Sequence, residues 1–147
     1  MKLKKLLALA LSLMLALTML TACGGGGSYA KTNTMLGAAG YSVRATTSSE
    51  TAAAAKDFAD RVSGMTVSEA FDRLYQNENG VYAVFLTDAY MDQINTSKAQ
   101  GISNKDYFAL YITIAAHMQT GTAKVFIDME DAATSDGTEG MVIAYKY

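Results

Sequence analysis

The chain is poor in several residue kinds on which small exported domains and catalytic sites depend. Its 147 residues include one cysteine, one histidine, no proline and no tryptophan. A single cysteine excludes an internal disulfide, so the folded part stands on its hydrophobic core alone. It equally excludes thiolate zinc sites and Cys-x-x-Cys redox chemistry, each of which needs at least two thiols. One histidine leaves His117 as the sole candidate base for a Ser–His–Asp hydrolase. No G-x-S-x-G string accompanies it, and the spacing of Asp106 and the serines gathers them nowhere near it. Catalytic residues are therefore not assigned.

Hydrophobic residues are plentiful, at 50%, but unevenly placed. Met1-Lys-Leu-Lys-Lys5 is a short basic start, and Leu6–Leu20 is an apolar run broken only by Ser12 and Thr18. Small residues follow, as at a signal-peptidase site. A fifteen-residue helix rises about 22 Å, short of the roughly 30 Å hydrocarbon core, which argues against a retained membrane span.

The run closes on Leu20-Thr21-Ala22-Cys23. This string resembles the lipobox of bacterial lipoproteins: a branched apolar residue, two small ones, then cysteine. The resemblance covers the first 23 residues. It implies that residues 1–22 are a cleaved signal peptide and that Cys23 becomes the first residue, with diacylglycerol on its sulfur. The implied location is the extracytoplasmic face of the cell membrane. Two acyl chains suffice for stable attachment, since each buried methylene contributes about 0.8 kcal/mol.

Loss of the leader removes Lys2, Lys4 and Lys5 from the 12 basic residues and leaves nine against 14 acidic ones, a formal charge of −5. A nucleic-acid partner is not expected without a clustered Lys/Arg face. Nor is attachment to anionic lipid through a basic patch.

Residues 23–40 read as the lipidated cysteine and a flexible tether. Gly24-Gly-Gly-Gly-Ser28 is followed by a stretch rich in Ala, Gly and Thr without a clear period. Residues 24–40 taken as coil would reach about 20–25 Å.

Residues 41–147 read as one small α+β domain. Its expected form is an antiparallel sheet of four or five strands with two or three helices on one face. YSVRAT at 41–46 alternates like a strand. Thr47-Ser-Ser-Glu50 has the form of a capping box opening a helix that runs to Val62, with Gly64 as its C′ glycine. Thr66-Val-Ser-Glu69 is a second box, with Met65 as its hydrophobic staple, and Val67, Ala70, Phe71 and Leu74 are spaced for burial on the helix after it. Asn77–Gly80 is a turn. Val81–Thr87 is apolar on both faces and reads as a central strand. Asp88–Ile94 forms a helical turn and 95–103 a polar loop. Tyr107–Met118 fits either period; Ser103 and Asp106 as a start and Gly121 as a stop favour the helix. Lys124–Glu130 and Met141–Tyr147 are strands around an acidic loop at 131–140.

Four groups of residues carry candidate chemistry. Asp60-Arg-Val-Ser-Gly-Met-Thr66 resembles the Asp-x-x-Ser-Gly-Ala-Thr motif of FMN-binding domains, with Met65 at the alanine position. The resemblance implies FMN linked through its phosphate to Thr66, with Asp60, Ser63 and Gly64 completing the motif. Asp128, Glu130, Asp131, Asp136 and Glu139 supply oxygen ligands of the sort calcium prefers, but in an order that fits no EF-hand loop. His117, the one histidine, is the third. Nine tyrosines offer stacking surfaces for a sugar or peptide, with no locatable groove. The expected function is a non-enzymatic binding or interaction module on a lipid anchor, without a cofactor and with a protein or small-molecule ligand. The alternative is an extracytoplasmic electron carrier flavinylated at Thr66.

Overall fold

The structure, a computed structural model, describes residues 29–147. The expected signal peptide, residues 1–22, and Cys23 lie outside the described residues. The fold is α+β, with a five-stranded mixed sheet of order β1-β4-β5-β3-β2. Helices are α1 (Ala30–Ala38), α2 (Ser49–Val62), α3 (Val67–Phe71), α4 (Asp88–Ile94) and α5 (Asn104–Thr120). Strands are β1 (Arg44–Thr46), β2 (Tyr75–Gln76), β3 (Tyr82–Thr87), β4 (Lys124–Ala133) and β5 (Glu139–Lys146). The chain divides into two compact units. One comprises residues 47–96 and 126–146, the other residues 29–46, 97–125 and 147.

In the unit of 47–96 and 126–146, β2–β3, β3–β5 and β5–β4 all pair antiparallel. Helix α2 buries Thr51, Ala54, Ala55, Phe58 and Val62, the stripe that its 3.6-residue period brings together. That stripe lies on Ala83 and Phe85 of β3 and Val142 and Ala144 of β5. Alanines on both sides let helix and sheet approach closely, and Phe58 and Phe85 fill the volume between. Burying one such ring contributes about 1.5–3 kcal/mol. Gly140 faces the same space: a Cβ there would stand 2.3 Å from the Leu86 carbonyl oxygen and 2.7 Å from the Phe85 ring. Only glycine lets Phe85 close over β5.

Several expectations need correction. Ser48, not Thr47, caps α2, accepting from the Thr51 N–H at 3.1 Å. Thr47 instead donates its hydroxyl to Asp128 Oδ1 at 2.5 Å, and the Ser48 N–H and Thr51 hydroxyl donate to Asp128 Oδ2 at 3.2 and 2.5 Å. Gly64 is not in the left-handed region among the positive-φ glycines. Helix α2 ends instead through tight turns, Gly64 N–H to Arg61 O and Met65 N–H to Val62 O. Helix α3 stops at Phe71, so of its supposed stripe only Ala70 is buried, whereas Phe71 and Leu74 are 46% and 59% exposed. The expected central strand at Val81–Thr87 is observed: β3 is paired on both sides, by β5 and by the two-residue β2.

In the unit of 29–46, 97–125 and 147, α1 packs on α5 and on β1. Residues 30–38 were expected to be coil; they are helical, and Met35 and Leu36 are fully buried. The unforeseen fastener is Asn33. Its amide donates to Ala45 O at 2.9 Å, and its Oδ1 accepts from the Ala45 N–H at 2.7 Å. Strand β1 is an edge strand, and this side chain pairs backbone groups that an edge leaves open. Helix α5 settles the ambiguity at Tyr107–Met118. Ser103 caps it by accepting from the Asp106 N–H at 3.1 Å, and Gly121 (φ +72°) ends it. Its small stripe, Ala109, Thr113 and Ala116, is buried.

Candidate functional site

The flavinylation motif falls on the exposed turn between α2 and α3. Asp60, Ser63, Gly64 and Thr66 are all exposed. The Ser63 hydroxyl donates to Asp60 O at 2.6 Å, and Thr66 Oγ1 accepts from the Glu69 N–H at 3.3 Å. Met65 turns inward, packed against the Phe58 core. Its carbonyl accepts from the Ser135 N–H at 2.8 Å and the Ser135 hydroxyl at 2.9 Å, which ties the turn to the β4–β5 hairpin.

A groove of about 410 Å³ runs beside this turn's helix, between the outer face of α2 and the β2–β3 hairpin. Glu50, Ala53 and Asp57 lie along the helix side, and Tyr75, Asn77 and Asn79 along the hairpin side. Helical period places the first three on one stripe. The hairpin side is set by Asn77, whose Oδ1 accepts from the N–H groups of Asn79 and Val81, both at 3.0 Å, and by Gly80 at φ +78°. Tyr75 stacks on Phe58 (centroids 5.3 Å apart, planes 14° apart) and donates its hydroxyl to Asp57 Oδ2 at 3.1 Å. Loss of hydration raises the Tyr75 pKa, and the hydrogen bond to Asp57 raises it further. The guanidinium of Arg61 sits 5.2 Å from the Tyr75 ring centre and pairs with Asp57 at 3.2 Å. Lys146 pairs with Glu50 at 3.0 Å.

Chemically this is a polar groove with an aromatic wall, two carboxylates and two amides. It suits hydrogen bonding to a hydroxylated or cationic ligand. None of its residues was singled out from sequence for ligand binding; Glu50 entered only in a capping box, and Asn77 and Asn79 only in a turn. They come from a helix face and a hairpin some twenty residues apart, and no ligand-binding motif joins them.

The remaining candidates separate. His117 Nδ1 lies 2.8 Å from Thr122 O, and its ring meets Tyr41 edge-on at 6.0 Å. Asp106 sits at the opposite end of α5, 3.6 Å from Lys31 Nζ. The structure does not bring them together. Of the acidic group, Asp128 serves the start of α2, and Asp136 accepts from the Thr134 hydroxyl, which holds its carboxyl below the usual range. Asp131 and Glu139 line, with Asp88, a second surface pocket of about 480 Å³. Among the described residues no three carboxylates, histidines or cysteines are grouped to hold a metal ion. Tyr82 and Tyr145 stack on neighbouring strands, 5.6 Å apart. Among the described residues, no helix is long and apolar enough to cross a membrane.

No family model, no curated protein and no solved structure matches the chain.

Proposed function

We propose that the chain is a lipoprotein held at the extracytoplasmic face of the membrane by diacylglycerol on Cys23, and that its folded part is a non-enzymatic binding or interaction module. The observation that carries the anchor is Leu20-Thr21-Ala22-Cys23 standing where the apolar run Leu6–Leu20 ends. The module reading is supported by the groove beside α2, where Tyr75 forms an aromatic wall and Glu50, Asp57, Asn77 and Asn79 line the groove with polar groups. Its ligand chemistry is a hydroxylated or amine-bearing small molecule or peptide. Cell fractionation tests the anchor. The native chain is expected in the membrane fraction and Cys23→Ala outside it; an unchanged distribution would contradict the reading.

A second reading is an electron carrier with FMN on Thr66. One observation favours it: Thr66 is exposed while Met65, the departure from the motif, is half-buried and packed against the core. Asp60, Ser63, Gly64 and Thr66 would present the attachment turn, and the flavin when bound would supply one- and two-electron redox chemistry. Co-expression with a flavin transferase decides it. A mass increase by one FMN, lost in Thr66→Ala, supports the reading, and an unmodified chain removes it.

A further inference from the structure

Charge is sharply segregated in this chain. The unit of 29–46, 97–125 and 147 carries Lys31, Arg44, Lys98, Lys105 and Lys124 against Asp106 alone, a side-chain charge of +4. The unit of 47–96 and 126–146 carries Lys56, Arg61, Arg73 and Lys146 against the thirteen other carboxylates, a charge of −9. The total of −5 hides a basic portion, and that portion contains the stretch nearest in sequence to Cys23.

The same basic unit presents an unusual helix face. A surface helix ordinarily turns charged side chains to water. From Tyr107 to Thr120, α5 contains no Lys, Arg, Asp or Glu. Its outer side carries Tyr111, 40% exposed, and Met118, 50% exposed, with Ile112 and Ala115 half-buried between them. Lys105 and Lys124, both exposed, flank this uncharged stretch.

We propose that this outer face of α5 seats on the anionic lipid surface to which Cys23 tethers the chain. The proposal rests on the lipid-anchor reading above. Three observations on the molecule support it. Six residue steps from Cys23 to Tyr29 span at most about 20 Å. Helix α1 starts at Ala30, packs on α5 and is paired to its first turn through Lys31 and Asp106. An anchor at that point therefore keeps α5 within reach of the headgroups. The charge of +4 complements anionic lipid, to which lysines near the surface are drawn. Tyrosine, with an apolar body and polar tip, suits the interface, as do lysines with long apolar stems at the margins of an apolar helix face.

The absence of tryptophan makes the test clean, because one introduced indole reports alone. Tyr111→Trp and, as a control in the acidic unit, Tyr90→Trp replace one exposed aromatic ring by another. Each full chain is produced with its lipid and reconstituted in vesicles of equal parts phosphatidylglycerol and phosphatidylcholine, with and without brominated acyl chains. Flotation is scored first. The Tyr111→Trp chain is expected to float, to shift its emission to the blue, and to be quenched by bromine about threefold or more, the depth expected of an interfacial helix. The Tyr90→Trp chain is expected to float with water-like, unquenched emission. A floating Tyr111→Trp chain whose emission stays water-like overturns the docking and leaves the anchor standing. A concentration-dependent blue shift without vesicles assigns the face to a second copy and also overturns it. A chain that does not float overturns the anchor, and the docking with it.

Discussion

Helices α1 and α2 differ in where their order comes from. Helix α2 has a side-chain cap at Ser48, Glu50 in its first turn, Arg61 in its last, and a repeating apolar stripe. Helix α1 has no side-chain cap, no acidic residue in its first turn and no basic residue in its last. Its sequence, AKTNTMLGA, is shorter than an isolated helix needs for stability in water. It is held by partners distant in the chain: Met35 and Leu36 in the interior, and the Asn33 amide on β1. One helix is written locally and the other is imposed by packing, so mutations in the two should behave differently.

The largest effect is expected at Phe58→Ala. The ring is buried between α2 and the sheet, and its loss should cost about 3–5 kcal/mol, read as a lowered midpoint in denaturant. Leu36→Ala comes next, at about 2–5 kcal/mol, because the side chain is fully enclosed. A tether would tolerate that change without loss of stability, so the measurement decides whether residues 30–38 belong to the folded body. Asn33→Ala should cost about 1–3 kcal/mol, since it removes two hydrogen bonds and leaves the Ala45 backbone unpaired on that side. Faster amide exchange at Ala45 would report it directly.

The smallest effect concerns pH and the β4–β5 hairpin. The Thr134 hydroxyl holds the Asp136 carboxyl below its ordinary value, so folding favours the ionised form. The contribution is present above the unfolded value of about 3.9 and is lost as pH falls through the folded one. Removing the donor in Thr134→Val should return the Asp136 titration, followed by NMR, toward the ordinary range. The stability difference between the two chains should narrow as the solution is acidified.

The sequence was most legible where a signal is short-range. Ser103 and Gly121 bracket α5, Thr66 caps α3, and Asn77–Gly80 turns the hairpin, each through contacts within four residues. It was least legible where a distant residue breaks a tie. Thr47 and Ser48 are both capping residues in isolation; Asp128, some eighty positions on, takes the Thr47 hydroxyl, and Ser48 caps. The stripe through Phe71 and Leu74 misled because α3 ends after five residues, before the period can carry both inward. The groove beside α2 was invisible because only the β2–β3 hairpin brings Tyr75 against Asp57. The charge of −5 carries no information on how the fold sorts it, +4 in one unit and −9 in the other.

Anchoring at the membrane depends on the chemistry of residue 23. Intact-mass analysis of the chain extracted from membranes of the producing cells tests it most directly. The expected mass is that of residues 23–147 plus a diacylglyceryl group, with the lipid on the N-terminal peptide. A free thiol at Cys23, or a chain still beginning at Met1, would contradict it.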